Sequence, residues 1–267
     1  MRIAACSAIY KGYSMEQALA GIARAGFQFV EVAAMPGWCE HVDPRKPETV
    51  LALKTALKQT GLKLTALAGH CNMVDGKQRA KLMDTIALAR EMGCDFVITS
   101  PGGDASERDE MLRALREVDE CCAAHGVGLA LEPHGALAGA ALLGALIEEA
   151  GTKCVSVNYD TANVIFFAGL DPLKDIKAAK GFLSYVHLKD KRGPKGVWDF
   201  PPLGRGELDF SGILAELRNI GYDGSVSVEI EYTPDAEHTV AELDADVKES
   251  LAYLNKLIQT GGMRNEQ

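Results

Sequence analysis

Four segments in the second half of the chain carry acids, imidazoles and amides at a spacing that could hold a cation. LALEPHG places Glu132 and His134 directly after an apolar run. VSVNYDTAN offers Asn158, Asp160 and Asn163. SYVHLKD offers His187 and Lys189, and VSVEIEY offers Glu229 and Glu231. Residues two apart in a strand share a face, so residues at that spacing can point to one side together. A Glu, Asp, His, Glu set, one residue from each segment, supplies three oxygen donors and one nitrogen. That set suits Mn²⁺, Co²⁺, Mg²⁺ or Zn²⁺ without choosing among them. For any one of these residues a solvated loop carboxylate or a satisfied histidine is the alternative. Four of them, each after an apolar run, make it the weaker reading, because buried carboxylates are costly unless paired or metallated.

Such a set needs a scaffold that gathers separate strand ends. Short apolar, β-branched runs alternate with helical segments along the chain. The expected strands are Arg2–Cys6, Phe27–Val32, Lys63–Ala68, Asp95–Thr99, Gly126–Leu131, Cys154–Tyr159, Leu183–Leu188 and Ser225–Ile230. Their starts lie roughly 25 to 40 residues apart, as βα units require. Ser14 with Gln17 reads as a capping box. Pro47 opens a helix that Gly61 closes. A third helix spans Lys81 to Gly93, and Ser106 precedes a fourth. Asp171-Pro172 opens another, and Asp209 or Ser211 caps the next. The last helix is expected from about Ala236 to Ile258, with 259–267 as a frayed tail. Eight such units in 267 residues predict an α/β chain folded as a single-domain (β/α)8 TIM barrel over 1–267, the barrel proper at about 2–258. A doubly wound open sheet is the runner-up, but the Gly-rich turn it expects is missing. In a barrel, chemistry sits at the C-terminal strand ends.

Composition narrows the partners. Apolar residues are 47% and charged residues 24%, an ordinary globular balance. The net charge of −9 argues against a phosphate backbone, so no nucleic-acid partner is expected. No stretch approaches 18 uninterrupted apolar residues, so no membrane span is expected. The start, MRIAACSAIYKGYSMEQ, lacks the apolar core of a signal peptide, and a cytoplasmic location is expected. Seven cysteines without a CxxC pair read as reduced, mostly buried thiols rather than disulfides or a zinc site.

LEPHG, YDTAN, YVHLKD, PLGRGELDF and GYDGSVSVEIE, in that order, resemble the xylose isomerase-like barrel superfamily of sugar and sugar-phosphate isomerases and epimerases, which includes the ketose 3-epimerases and the endonuclease IV relatives. The resemblance covers about residues 2 to 258. It implies that Glu132, Asp160, His187 and Glu229 hold a divalent metal, Mn²⁺ being the first expectation. It implies assembly as a homo-oligomer, a dimer or tetramer. One departure stands out: members often carry DTxH, whereas this chain has Asn163 in place of that histidine.

The implied substrate is a keto sugar or sugar derivative. Removing a proton beside its carbonyl gives an enediolate, whose charge a divalent cation stabilises. Glu132 and Glu229, three strands apart, are assigned as the acid–base pair and also as ligands. Glu231 is expected at the rim, with proton transfer as its alternative role. His70, His134, Asn163, Lys189 and Arg205 are expected substrate contacts, and Glu31 is a pocket candidate. The loop holding Trp38 and His41 is a possible cover. The long connection from Asp190 to Gly206 carries Trp198, Phe200, Lys191, Arg192, Lys195 and Arg205 and reads as a lid. His125 and His238 are expected at the surface. Isomerisation or 3-epimerisation is the leading reaction. A lyase or hydratase acting on a 3-keto-glycoside through the same enediolate is the alternative. An endonuclease IV-like enzyme and a barrel that binds sugar without catalysis are less favoured.

Overall fold

The computed structural model describes residues 1–233 and 235–260. Eight parallel strands close on themselves: β1 (Arg2–Cys6), β2 (Phe29–Met35), β3 (Lys63–Ala68), β4 (Phe96–Thr99), β5 (Gly128–Leu131), β6 (Val155–Asp160), β7 (Leu183–Lys189) and β8 (Ser225–Glu229). Each pairs with its chain neighbours, and β1 pairs with both β2 and β8, which closes the barrel. The open-sheet alternative is excluded by that closure.

Helices α1 (Met15–Ala25), α2 (Pro47–Thr60), α3 (Gly76–Met92), α4 (Arg108–His125), α5 (Ala140–Ala150), α6 (Pro172–Asp175), α7 (Phe210–Asn219) and α8 (Val240–Thr260) follow the strands in turn. The Ser14–Gln17 capping box forms in both directions. Gly26 ends α1 at φ 101°, a conformation that costs a residue with a Cβ. Two helix starts differ from the sequence expectation. Helix α3 begins at Gly76 rather than Lys81, because the Asp75 carboxylate accepts from the amides of Lys77 and Gln78. Helix α8 begins at Val240 rather than Ala236, because Thr239 and Glu242 form a reciprocal cap. It runs on to Thr260, so Gln259 and Thr260 are helical; the rest of the expected tail, 261–267, lies outside the described residues.

Strand β2 is buried at all seven positions and runs three residues past the expected end. Its last residues pair antiparallel with a two-residue strand at Cys39–Glu40, which folds the following loop back over the barrel mouth. The main core lies between strands and helices. A separate cluster of Ala66, Ile98, Ala130 and Tyr185 fills the barrel interior. Small inward residues make room there for the Tyr185 ring, whose hydroxyl bonds Thr65 Oγ1 at 2.8 Å. His187 is two residues along the same strand, so it faces the same interior one layer higher. Among the described residues, no helix is long and apolar enough to cross a membrane.

Candidate metal centre and active site

The polar layer sits on the small-residue interior. Asp160 is in register with His187, and Lys189 with Glu229, so neighbouring strands deliver their side chains at matched heights. Glu132 follows β5 directly. One donor atom from each of Glu132, Asp160, His187 and Glu229 lies within 4.8 Å of the others.

The hydrogen bonds around this group leave one of its donor atoms without a partner. Asn158 Nδ2 donates to Glu132 Oε2 at 2.8 Å, and Asn163 Nδ2 donates to Oε1 at 2.7 Å. Asp160 Oδ1 accepts from the amides of Ala162 and Asn163, which leaves Oδ2 toward the site. His187 Nε2–H donates to Glu31 Oε2 at 2.9 Å. Its other nitrogen, Nδ1, lies 2.8 Å from Glu132 Oε2 and 3.1 Å from Glu229 Oε2. Neither contact has hydrogen-bond geometry, so Nδ1 is buried without a partner among the described residues. Five carboxylates, those of Glu31, Glu132, Asp160, Glu229 and Glu231, meet two imidazoles, His187 and His70, and one ammonium here. An orphaned imidazole nitrogen and an excess of buried anions fit a divalent cation bound by Glu132, Asp160, His187 and Glu229.

Electrostatics follow the same arrangement. Burial resists charge on Glu132, but the His70 and His187 imidazoles hold its carboxyl down, at about 2. Lys189 and His187 overcome burial likewise at Glu229. At Asp160 burial prevails over Lys189 and pushes the carboxyl up, to about 7. Burial disfavours charge on His187, yet Glu31, Glu229 and Glu132 together raise it well above an ordinary imidazole.

A cavity of about 390 Å³ opens above these groups, within the usual range for a small-molecule site. Glu132, Glu229, Lys189, Asn163, His70 and His134 all line it, as does Glu231. His70 Nε2 lies 3.8 Å from Glu132 Oε2. His134 lies tilted against Phe167, 4.2 Å between ring centroids, and burial pushes its imidazole down to about 4, so it is neutral at pH 7. Lys189 Nζ donates to Asp160 Oδ2 at 3.2 Å and Asn163 Oδ1 at 3.1 Å, rather than pairing with Asp190 or Glu207.

Several placements depart from the sequence expectations. Glu231 is not a rim residue: it lines the cavity, with Oε2 2.7 Å from Lys189 Nζ. Its backbone makes an isolated antiparallel bridge with Phe200, which carries the strand alternation past the end of β8. Arg205 does not line the cavity. Its guanidinium pairs with Glu249 and Asp246 of α8 on the outer side of the lid. Glu31 does not line the cavity; its carboxylate contacts the His187 ring. His41 is also off the cavity, buried with Nδ1 2.8 Å from Ser7 Oγ. His125 and His238 are half-buried, against the Cys121 carbonyl and the Tyr232 ring.

The lid is aromatic toward the cavity and basic away from it. Trp198 and Phe200 line the cavity, and Trp38 meets Trp198 across the mouth at 6.3 Å between ring centroids. Lys191 Nζ instead donates to the carbonyls of Arg192 and Val197, propping the loop from inside. Asp190 holds the loop together: its carboxylate accepts from the amides of Lys191, Gly204, Gly206 and Leu208. A Cβ on Gly206 would lie 2.1 Å from Asp190 Oδ1, so only glycine permits that approach. Sequence reasoning missed Asp190, and also Phe166 and Phe167, which complete the aromatic wall. The two phenylalanines lie on a π-helical turn, Val164–Ala168. An apolar pair after a strand end, with no helix until Pro172, was the available signal.

The fold and the strand-end donors define a barrel of one class. The family of xylose isomerase-like TIM barrels matches residues 19–257, and the chain belongs to it. It is 26% identical to the rhizopine catabolism protein MocC of Rhizobium meliloti, over 84% of this chain and 77% of that one. It is 24% identical to the inosose dehydratase of Geobacillus thermodenitrificans, over 83% of each chain. It superposes on the structure of an L-ribulose 3-epimerase with a TM-score of 0.77 at 24% identity, over 98% of this chain and 95% of that one. At that identity the superposition establishes the shared fold.

Proposed function

We propose that this chain is a divalent-metal-dependent enzyme that removes a proton from the carbon beside the ketone of a sugar or sugar derivative and returns it as an isomerase or 3-epimerase. The observation that carries the proposal is the convergence of Glu132, Asp160, His187 and Glu229 within 4.8 Å at the cavity floor, with His187 Nδ1 unpartnered. A divalent cation held by these four, Mn²⁺ first among Mn²⁺, Co²⁺, Mg²⁺ and Zn²⁺, would polarise the ketone and offset the charge that develops on its oxygen.

The residues of the chain take the remaining roles. Glu132 and Glu229 rise from β5 and β8 and serve as the pair that takes and returns the proton. Two amide donors fix the Glu132 carboxylate, so its orientation is set before substrate enters. Lys189, Asn163, His70 and His134 face the cavity as donors and acceptors for substrate oxygens. The aromatic wall of Trp38, Phe166, Phe167, Trp198 and Phe200 keeps water from the enediolate. A homo-oligomeric, cytoplasmic enzyme without a nucleic-acid partner completes the proposal, carried from the family resemblance, the unpaired cysteines and the net charge.

A second reading has its own observation. The Lys189–Glu231 contact at 2.7 Å gives the cavity an acid–base couple outside the four donors. Such a couple can hand a proton to a departing hydroxyl. That supports a lyase or hydratase acting on a 3-keto-glycoside, and the likeness to a protein named inosose dehydratase leans the same way. The endonuclease reading gains nothing from a cavity walled by carboxylates and aromatic rings.

One experiment separates the readings. The Mn²⁺-loaded protein is incubated with a panel of keto sugars and 3-keto-glycosides in D₂O and the products are read by NMR. Deuterium at one carbon with inversion there identifies epimerisation. Loss of a hydroxyl or glycosidic group identifies elimination. No exchange with any substrate overturns both.

A further inference from the structure

We infer that Glu31 is a positioning residue for the candidate metal centre: it holds the His187 ring so that Nδ1 presents a lone pair to the site. The inference rests on the metal-dependent reading above and gives a role to Glu31, which the sequence offered only as a pocket candidate.

Three observations carry it. First, Glu31 is fully buried, and among the described residues its one ion-pair partner is the His187 ring. Its Oε2 accepts from Nε2–H at 2.9 Å, while Oε1 has no partner among the described residues. A carboxylate in that position is costly unless its contact matters, and His187 is that contact. Second, the ladder between β2 and β3 shifts register between Val30 and Glu31. Such irregularities re-aim side chains beside active sites. Third, the imidazole lies between Glu31 on one side and Glu132 with Glu229 on the other. A cation displaces the second proton of the imidazole, and the neutral ring it binds has one N–H and one lone pair. Committing Nε2–H to Glu31 leaves Nδ1 as the acceptor, the form that binds a cation. Without Glu31, the same ring can turn its N–H toward Glu132 and close the site to the metal.

The test compares wild type with Glu31→Gln and Glu31→Ala. Each protein is freed of metal and titrated with Co²⁺, following affinity by calorimetry and ligand geometry by the visible Co²⁺ spectrum. Circular dichroism checks the fold. Losing a partner of this kind typically weakens metal affinity about 10- to 100-fold. Glu31→Ala is expected to show that loss with an altered Co²⁺ spectrum. Glu31→Gln, whose amide oxygen still accepts Nε2–H, is expected to recover much of both; if Glu31→Ala does not fold, Glu31→Leu, which fills the space without an acceptor, is expected to show the same loss. A Glu31→Ala or Glu31→Leu protein that folds and binds Co²⁺ with wild-type affinity and spectrum overturns the role of Glu31 and leaves the function proposal standing. A wild-type protein that binds no Co²⁺ overturns both.

Discussion

The Lys189 ammonium lies 2.7 Å from Glu231 Oε2 inside the cavity, and the same nitrogen reaches Asp160 Oδ2 at 3.2 Å. The lysine is 2% exposed and neutralises part of a carboxylate cluster. Removing one partner of a buried charge group typically costs about 3–5 kcal/mol. The metal-free Lys189→Met protein is therefore expected to melt well below wild type. Saturating Mn²⁺ should raise the variant's Tm by more than it raises that of wild type, because the cation replaces part of the missing charge. Equal melting temperatures for the two metal-free proteins would show that the ammonium does not balance the cluster. Differential scanning fluorimetry with and without Mn²⁺ reads this directly.

Glu132→Gln and Glu229→Gln keep side-chain size and remove a donor charge. Both are expected to fold, to bind divalent metal more weakly, and to lose at least about 10²-fold in kcat, the usual contribution of a positioned acid or base. Asn163→Ala leaves Glu132 with one amide partner and should produce a smaller loss. Elemental analysis and a steady-state assay on the same preparations check this order. An active Glu132→Gln protein contradicts the assignment.

The lid depends on Asp190. Its carboxylate satisfies four backbone amides from Lys191 to Leu208. An unsatisfied buried donor costs about 1–3 kcal/mol. Asp190→Ala is expected to lose at least about 2 kcal/mol of stability and to speed amide exchange across residues 191–208, with exchange in α2 unchanged. Exchange mass spectrometry resolves the two regions. Uniform acceleration would mean that the carboxylate supports the whole fold rather than the lid.

The thiols are set against reactivity. Burial pushes Cys39 and Cys94 up to about 12 and Cys71 to about 11, and it raises Cys6 and Cys122 as well. A raised thiol pKa keeps the group protonated, and a protonated thiol is a poor nucleophile. At pH 8 iodoacetamide is expected to spare these five in the folded protein and to modify all seven in urea. Cys121 and Cys154, raised but half-exposed, should label first. Peptide mapping gives the order. Rapid labelling of Cys6 in the native state would contradict its placement.

The four donors were legible because a barrel strand ends where its apolar run ends, and alternation then says which neighbour shares the face. That rule brings one or two candidate ligands per strand to the mouth, and the family resemblance chose Glu132, Asp160, His187 and Glu229 among them. It loses force beyond the strand end. Glu231 was misjudged because only the pairing with Phe200 extends the alternation of β8 by two residues. Arg205 was read toward the substrate because its loop covers the mouth, but the chain doubles back there and spends the guanidinium on α8. Phe166 and Phe167 follow no period, since a single π-helical turn sets their direction. Helix bodies were read well, and their starts less so, because Asp75 and Thr239 cap ahead of or behind the apolar pattern.

The most direct measurement is exchange at the carbon beside the ketone. Metal-free and Mn²⁺-loaded protein are each mixed with a keto sugar in D₂O, and the loss of that C–H signal is followed by NMR. Enediolate chemistry at this site predicts exchange with the loaded protein, none above background after chelation, and recovery when Mn²⁺ is restored. Metal bound at full occupancy with no exchange in any keto sugar or 3-keto-glycoside, or exchange that survives chelation unchanged, would contradict it.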